Sequence, residues 1–149
     1  MVLMRQSNIE IANAADVATV LQDVLALEDR IDQDKEHFYV MHLDSRRRIT
    51  LVELVAIGTL SDAKIHPRET YRRAVIAGSY SIIIAHNHPS GDVTPSEADI
   101  LITNALREAG ELLQILLVDH IIFTPTHFYS FQDNKMQWNT NLRHERERR

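Results

Sequence analysis

The stretch "YSIIIAH", residues 80–86, is apolar almost throughout and has the length of a strand. A strand without polar alternation suits a central position in a sheet that is covered on both faces. The next segment, "TPSEADILITNALREAG", is the best helix signal in the chain. Thr94 and Glu97 read as a capping box, Pro95 takes the first helical position, and Gly110 closes the helix. Ala98, Leu101, Ile102, Ala105, Leu106 and Ala109 then form its buried stripe.

The other elements are consistent with a layered mixed sheet. "AADVATVLQDVLALEDR" is an amphipathic helix, with Val17, Val20, Leu21, Val24 and Leu25 on one stripe. "HFYVMHLD" and "ITLVELVAIGTL" are strands around the polar turn "SRRR", which makes them a hairpin. "PRETYRRAVIAG" begins with proline and ends with glycine, as helices commonly do, and His66 stands where a cap belongs. "LLQILLVDHIIF" and "HFYSF" supply two further strands. The expected class is α/β (α+β), a mixed β-sheet with packed helices in one domain over residues 1–149, with its core at about 15–132 and a polar tail at 139–149.

The apolar strand ends in "HNH", and alternate residues of a strand share a face, so His86 and His88 present two imidazoles side by side. Eleven positions after His88 comes Asp99, with Ser96 three residues before it. Residues three apart lie together on a helix, so Ser96 and Asp99 should share a face, expected to be the exposed one. Two histidines and a carboxylate are a usual donor set for catalytic zinc, which keeps a fourth position open. Two neutral imidazoles and one carboxylate leave Zn2+ a net charge of about +1, which helps acidify water. The chain has no cysteine, so any metal site must use N and O donors.

H-x-H, ten residues, then Asp, with Ser three before it, resembles the JAMM motif of MPN+ metallopeptidases. More narrowly, "HNHPSGDVTPSEADI", "GTLSDAKIHPRET", "LLVDHIIF" and "YSF" resemble the JAMM domain of RadC-like proteins. The resemblance implies a JAMM/MPN, cytidine-deaminase-like architecture. It also implies zinc ligands at His86, His88 and Asp99, an oxyanion-stabilising Ser96, and an upstream glutamate as general base. Glu36, where the first strand begins, fits that last role, with Glu53 and Glu69 as rivals. The implied activity is hydrolysis of an amide or isopeptide bond in a peptide or protein. A non-catalytic MPN-type scaffold and a DNA-repair-associated accessory protein are the alternatives. Longer members carry an N-terminal helix-hairpin-helix region, for which this chain is expected to have no room.

Asp119 and His120 interrupt an apolar strand and need partners if buried. Asp119 reads either as a contact to a ligand imidazole or as half of a polar pair at a strand edge. His37, His42, His127 and His144 have no partner at ligand spacing and read as structural. The net charge of -5 argues against nucleic acid as a partner, despite arginine clusters at 46–48, 72–73 and 143–149. No apolar run approaches the roughly 18 residues of a membrane span, and the N-terminus lacks a signal-peptide pattern, so a cytoplasmic protein is expected.

Overall fold

The computed structural model describes residues 1–5, 7–58 and 65–135. The polar tail, its arginines, His144 and part of "GTLSDAKIHPRET" lie outside them. In chain order the elements are β1 (Val2–Arg5), α1 (Ala14–Ala26), α2 (Arg30–Gln33), β2 (His37–Leu43), β3 (Ile49–Ile57), α3 (Pro67–Ala77), β4 (Ser81–Asn87), α4 (Glu97–Leu113), β5 (Leu116–Phe123) and β6 (Phe128–Ser130). Six strands form one mixed sheet, ordered β1-β3-β2-β4-β5-β6. The β2–β3 hairpin is antiparallel, as its polar turn requires, and β4 is antiparallel to β2. Among the described residues only β4 and β5 are parallel, and α4 makes the crossover between them. The all-apolar β4 lies between β2 and β5, buried on both faces.

The pleat of β2 sorts the core into two layers. Tyr39, Met41 and Leu43 face α1, where Val17, Ala18, Leu21 and Leu25 meet them. Phe38 and Val40 face the opposite layer, with Tyr71 and Ala74 of α3 and Leu106 of α4. β1 and α2 have no counterpart among the elements expected from sequence. Helix α3 ends at Gly78, whose φ of 64° is left-handed. His66 is its N-cap residue but makes no side-chain cap bond.

Helix α4 departs from expectation in three respects. Its N-cap is Ser96, and the capping box pairs Ser96 with Asp99 rather than Thr94 with Glu97. It continues through Gly110 to Leu113 and ends on Gln114, with φ 58°. Gly110 is there for packing, because a Cβ would collide with the Tyr71 hydroxyl and lie 2.6 Å from the Ile115 carbonyl oxygen. The buried face is Asp99, Thr103, Leu106 and Gly110, while Leu101 is 70% exposed. The Ser96–Asp99 side is therefore not the solvent side at Asp99. Polar residues take the inward positions because they find hydrogen-bond partners there. Among the described residues no helix is long and apolar enough to cross a membrane.

Candidate metal centre

His86 ends the buried part of β4 on the α3/α4 side, and His88 follows two residues later. From there "PSGDVTP" turns the chain back to α4. Gly91 sits at φ 88°, and its N–H donates to the His88 carbonyl at 3.1 Å. The Asp92 carboxylate accepts from Thr94 N–H at 2.9 Å. The turn delivers the first turn of α4, and with it Asp99, to the two imidazoles.

Three donor atoms converge. His86 Nε2 lies 2.8 Å from His88 Nε2. Asp99 Oδ1 is 3.2 Å from His86 Nε2, and Asp99 Oδ2 is 3.3 Å from His88 Nε2. Ligands about 2.0–2.1 Å from a tetrahedral ion stand about 3.3 Å apart, so a triangle of these dimensions fits one divalent metal. His86 and Asp99 are buried, while the His88 side chain is 13% exposed, so solvent reaches the centre past His88.

The surrounding hydrogen bonds fix which nitrogens are bare. His88 Nδ1 lies 2.7 Å from the Asp92 carbonyl oxygen, which can only accept, so Nδ1 carries the proton and a neutral His88 has a bare Nε2. The Thr103 hydroxyl donates to the Asp99 carbonyl at 2.6 Å. Thr103 must then accept from His120 Nδ1, 2.5 Å away. Burial holds the His120 imidazole well below its ordinary pKa, hence neutral, so its Nε2 accepts from His86 Nδ1 at 2.8 Å. His86 Nε2 is therefore bare as well. Two lone pairs aimed at one point beside a carboxylate suit a cation.

Protons compete with a metal for the same atoms. Burial pushes the Asp99 carboxyl up, but hydrogen bonds from the protonated forms of His86 and His88 outweigh it and hold Asp99 well below the usual carboxylate range. The His88 imidazole is raised, first by the hydrogen bond its protonated form makes to Asp99, against desolvation, and also by the charge of Glu36. Glu36 lies just before β2, half-buried. Phe38 pairs with His86 in antiparallel register, and two more residues carry Glu36 to the level of His88. Ser96, exposed at the N-cap, accepts from Asp99 N–H at 3.1 Å, which leaves its hydroxyl proton available.

The rival glutamates are engaged elsewhere. Glu53 bonds His42 at 3.2 Å and Arg73 at 3.0 Å, and His42 is near the far end of β2 from His86. Glu69 pairs with exposed Arg68 at 2.8 Å. Asp119 is not in contact with a ligand imidazole. It accepts from Ser130 Oγ at 2.5 Å, His120 N–H at 2.7 Å and Gln132 N–H at 3.0 Å. Adjacent strand residues face opposite sides, so its neighbour His120 makes the contact expected of it. A register shift between β4 and β5 beside Asp119 hides that parity from the sequence.

A family model described as "RadC-like JAB domain" matches residues 11–136. The chain belongs to the RadC-like JAB-domain family. It is 49% identical over 102 residues to a UPF0758 protein of Chlorobium chlorochromatii (strain CaD3), covering 68% of this chain and 46% of that protein. A UPF0758 protein of Chlorobium phaeovibrioides (strain DSM 265 / 1930) is 43% identical over 130 residues, 87% of this chain and 56% of that one. One from Staphylococcus epidermidis (strain ATCC 12228 / FDA PCI 1200) is 43% identical over 122 residues, 82% and 52% respectively. The chain thus spans about half the length of the curated relatives it matches. The mixed sheet with helices on both faces is the architecture expected of a JAB domain, and the candidate metal triad lies within the matched region.

Proposed function

We propose that this JAB domain is a zinc-dependent hydrolase of amide or isopeptide bonds in a peptide or protein. The observation that carries the reading is the pair of bare Nε2 atoms, 2.8 Å apart, converging with the Asp99 carboxylate. Two imidazoles and a carboxylate suit zinc. When bound, zinc supplies Lewis acidity toward a carbonyl oxygen and makes water more acidic. Glu36 takes the proton of the attacking water and passes it to the leaving amine. The Ser96 hydroxyl donates to the oxygen on which negative charge develops. His86, His88 and Asp99 hold the ion, and the opening past His88 admits substrate.

A polypeptide suits this site better than nucleic acid. The net charge is -5, and Arg48 and Arg73, from two of the basic clusters, are each paired with an acid.

Metal analysis together with a cleavage screen tests the proposal. Protein purified without chelator should hold about one zinc per chain and cleave some member of a set of peptides and isopeptide-linked conjugates. Glu36→Gln should keep the metal and lose about 10²- to 10⁴-fold in rate. His88→Ala should lose both. Absence of zinc even when it is offered, or full activity in Glu36→Gln, defeats the reading.

A further inference from the structure

The residue between the two histidine ligands has its own task. Asn87 is 2% exposed. Its side-chain Oδ1 accepts from the His37 N–H at 2.6 Å. Its Nδ2 donates to the Lys35 carbonyl at 3.0 Å and the Gln33 carbonyl at 3.5 Å. One carboxamide thus grips the backbone on both sides of Glu36. These partners also fix its orientation, since an N–H must face the oxygen and carbonyls must face the NH2.

The topology explains the need for it. The paired register of β2 and β4 ends with Phe38 opposite His86. Past that point β4 stays with β5, where Asn87 pairs with Phe123 and the His88 N–H donates to the Phe123 carbonyl at 3.0 Å. β4 and the segment leading into β2 therefore part between Glu36 and His88. A backbone ladder continued there would draw the strands to about 4.8 Å and leave no room for water and a scissile bond. The Asn87 side chain spans the opening at a wider spacing. On the other flank the Gly58 N–H donates to the Glu36 carbonyl at 2.9 Å. The backbone of Glu36 is held from β3 on one side and from the metal-ligand strand on the other.

We infer that Asn87 is a positioning residue, a clamp that sets the distance between the Glu36 carboxylate and the metal held by His86, His88 and Asp99. The inference rests on the proposed role of Glu36 as base. Asn87 touches neither metal nor substrate, and it acts by keeping Glu36 in register with the site. Displacement of about 1 Å at a reacting group can cost about a hundredfold in rate, so a single amide placed here has leverage.

The test uses the zinc-loaded chain with two substitutions, Asn87→Ala and Asn87→Asp. Amide hydrogen exchange, read residue by residue by NMR, should show the His37 amide exchanging about tenfold faster or more in Asn87→Ala, with 82–85 in β4 as protected as before. Zinc content should stay at wild-type level. kcat should fall about 10- to 100-fold with KM nearly unchanged, and Asn87→Ala added to Glu36→Gln should cost little more than Glu36→Gln alone. Asn87→Asp keeps the acceptor for His37 but sets a carboxylate against the Lys35 and Gln33 carbonyls. It should also lose kcat, and it serves if the alanine variant does not fold. Unchanged exchange at His37, full kcat in Asn87→Asp, or losses that multiply in the double variant would overturn the clamp. If Glu36→Gln alone costs no rate, the base assignment fails, and the exchange result still decides whether Asn87 holds this segment.

Discussion

His86 and Asp99 meet twice, across the candidate metal site at 3.2 Å and again behind it through His120 and Thr103. The second path runs from His86 Nδ1 to His120, on to the Thr103 hydroxyl, and ends at the Asp99 backbone carbonyl. Every proton in it has one direction, so it sets the His86 tautomer and ties strand β4 to helix α4.

The relay should therefore matter to metal affinity. His120→Ala should weaken zinc binding about 10- to 100-fold while the chain stays folded, as is usual when the group behind a ligand imidazole is lost. Thr103→Val, nearly the same shape, should weaken it in the same direction, because His120 Nδ1 loses its acceptor. Competition with a chromogenic chelator measures both. Wild-type affinity in His120→Ala would show that the His86 tautomer does not depend on the relay.

Ser96 caps α4 and, in the proposed mechanism, also donates to the developing oxyanion, and two measurements tell these tasks apart. Its oxygen caps α4 by accepting from Asp99 N–H, and the Asp99 carboxylate accepts from Ser96 N–H at 2.8 Å in return. Ser96→Ala should cost about 1 kcal/mol of stability through the lost cap. It should also cost about 10²- to 10³-fold in kcat through the lost donor, with zinc retained. Ser96→Thr keeps cap and hydroxyl and should recover most of both. Urea midpoints and single-turnover rates give the two numbers independently.

Asp119 sets a pH dependence of stability. Burial raises its carboxyl above 3.8, against hydrogen bonds from Ser130, Gln132 and His120. With a raised folded pKa, its contribution is fully present below the unfolded pKa and is lost as pH rises through the folded one. Asp119→Asn mimics the protonated form and can keep the bonds from His120 and Gln132. Its stability relative to wild type should therefore grow as pH rises from roughly 3.5 into the neutral range. Urea denaturation at stepped pH checks this, and a constant difference across that range refutes it.

Gly110→Ala should destabilise, opposite to the usual gain of about 1 kcal/mol from alanine in a helix. The new methyl meets the Tyr71 hydroxyl, which donates to the Leu106 carbonyl at 2.8 Å, and the Ile115 backbone oxygen. Overpacking of this kind costs about 1–3 kcal/mol. Tyr71→Phe in the same chain should relieve only part of it, since the Ile115 carbonyl cannot move away as a side chain can. Thermal unfolding of the single and double variants measures the cost.

Much of this was legible in the chain itself. Unbroken apolarity placed β4 inside the sheet, the proline and glycine bracketed α3, and H-x-H followed by Asp99 marked the candidate ligands. These signals are local, arising from backbone preferences and the two-residue and 3.6-residue periods. Which face of α4 turns inward was not local. Leu101 lies outside and Asp99 and Thr103 inside, because the histidines of β4 and β5 await them there. The same holds for His120, whose side of β5 depends on a register shift against β4, and for Asn87, whose partners are about fifty residues earlier in sequence. Hydrogen bonds that close over such separations are satisfied only once the sheet is assembled. The sequence alone determined the donor types and their spacing, and the tertiary structure decided which proton, and which backbone, each of them holds.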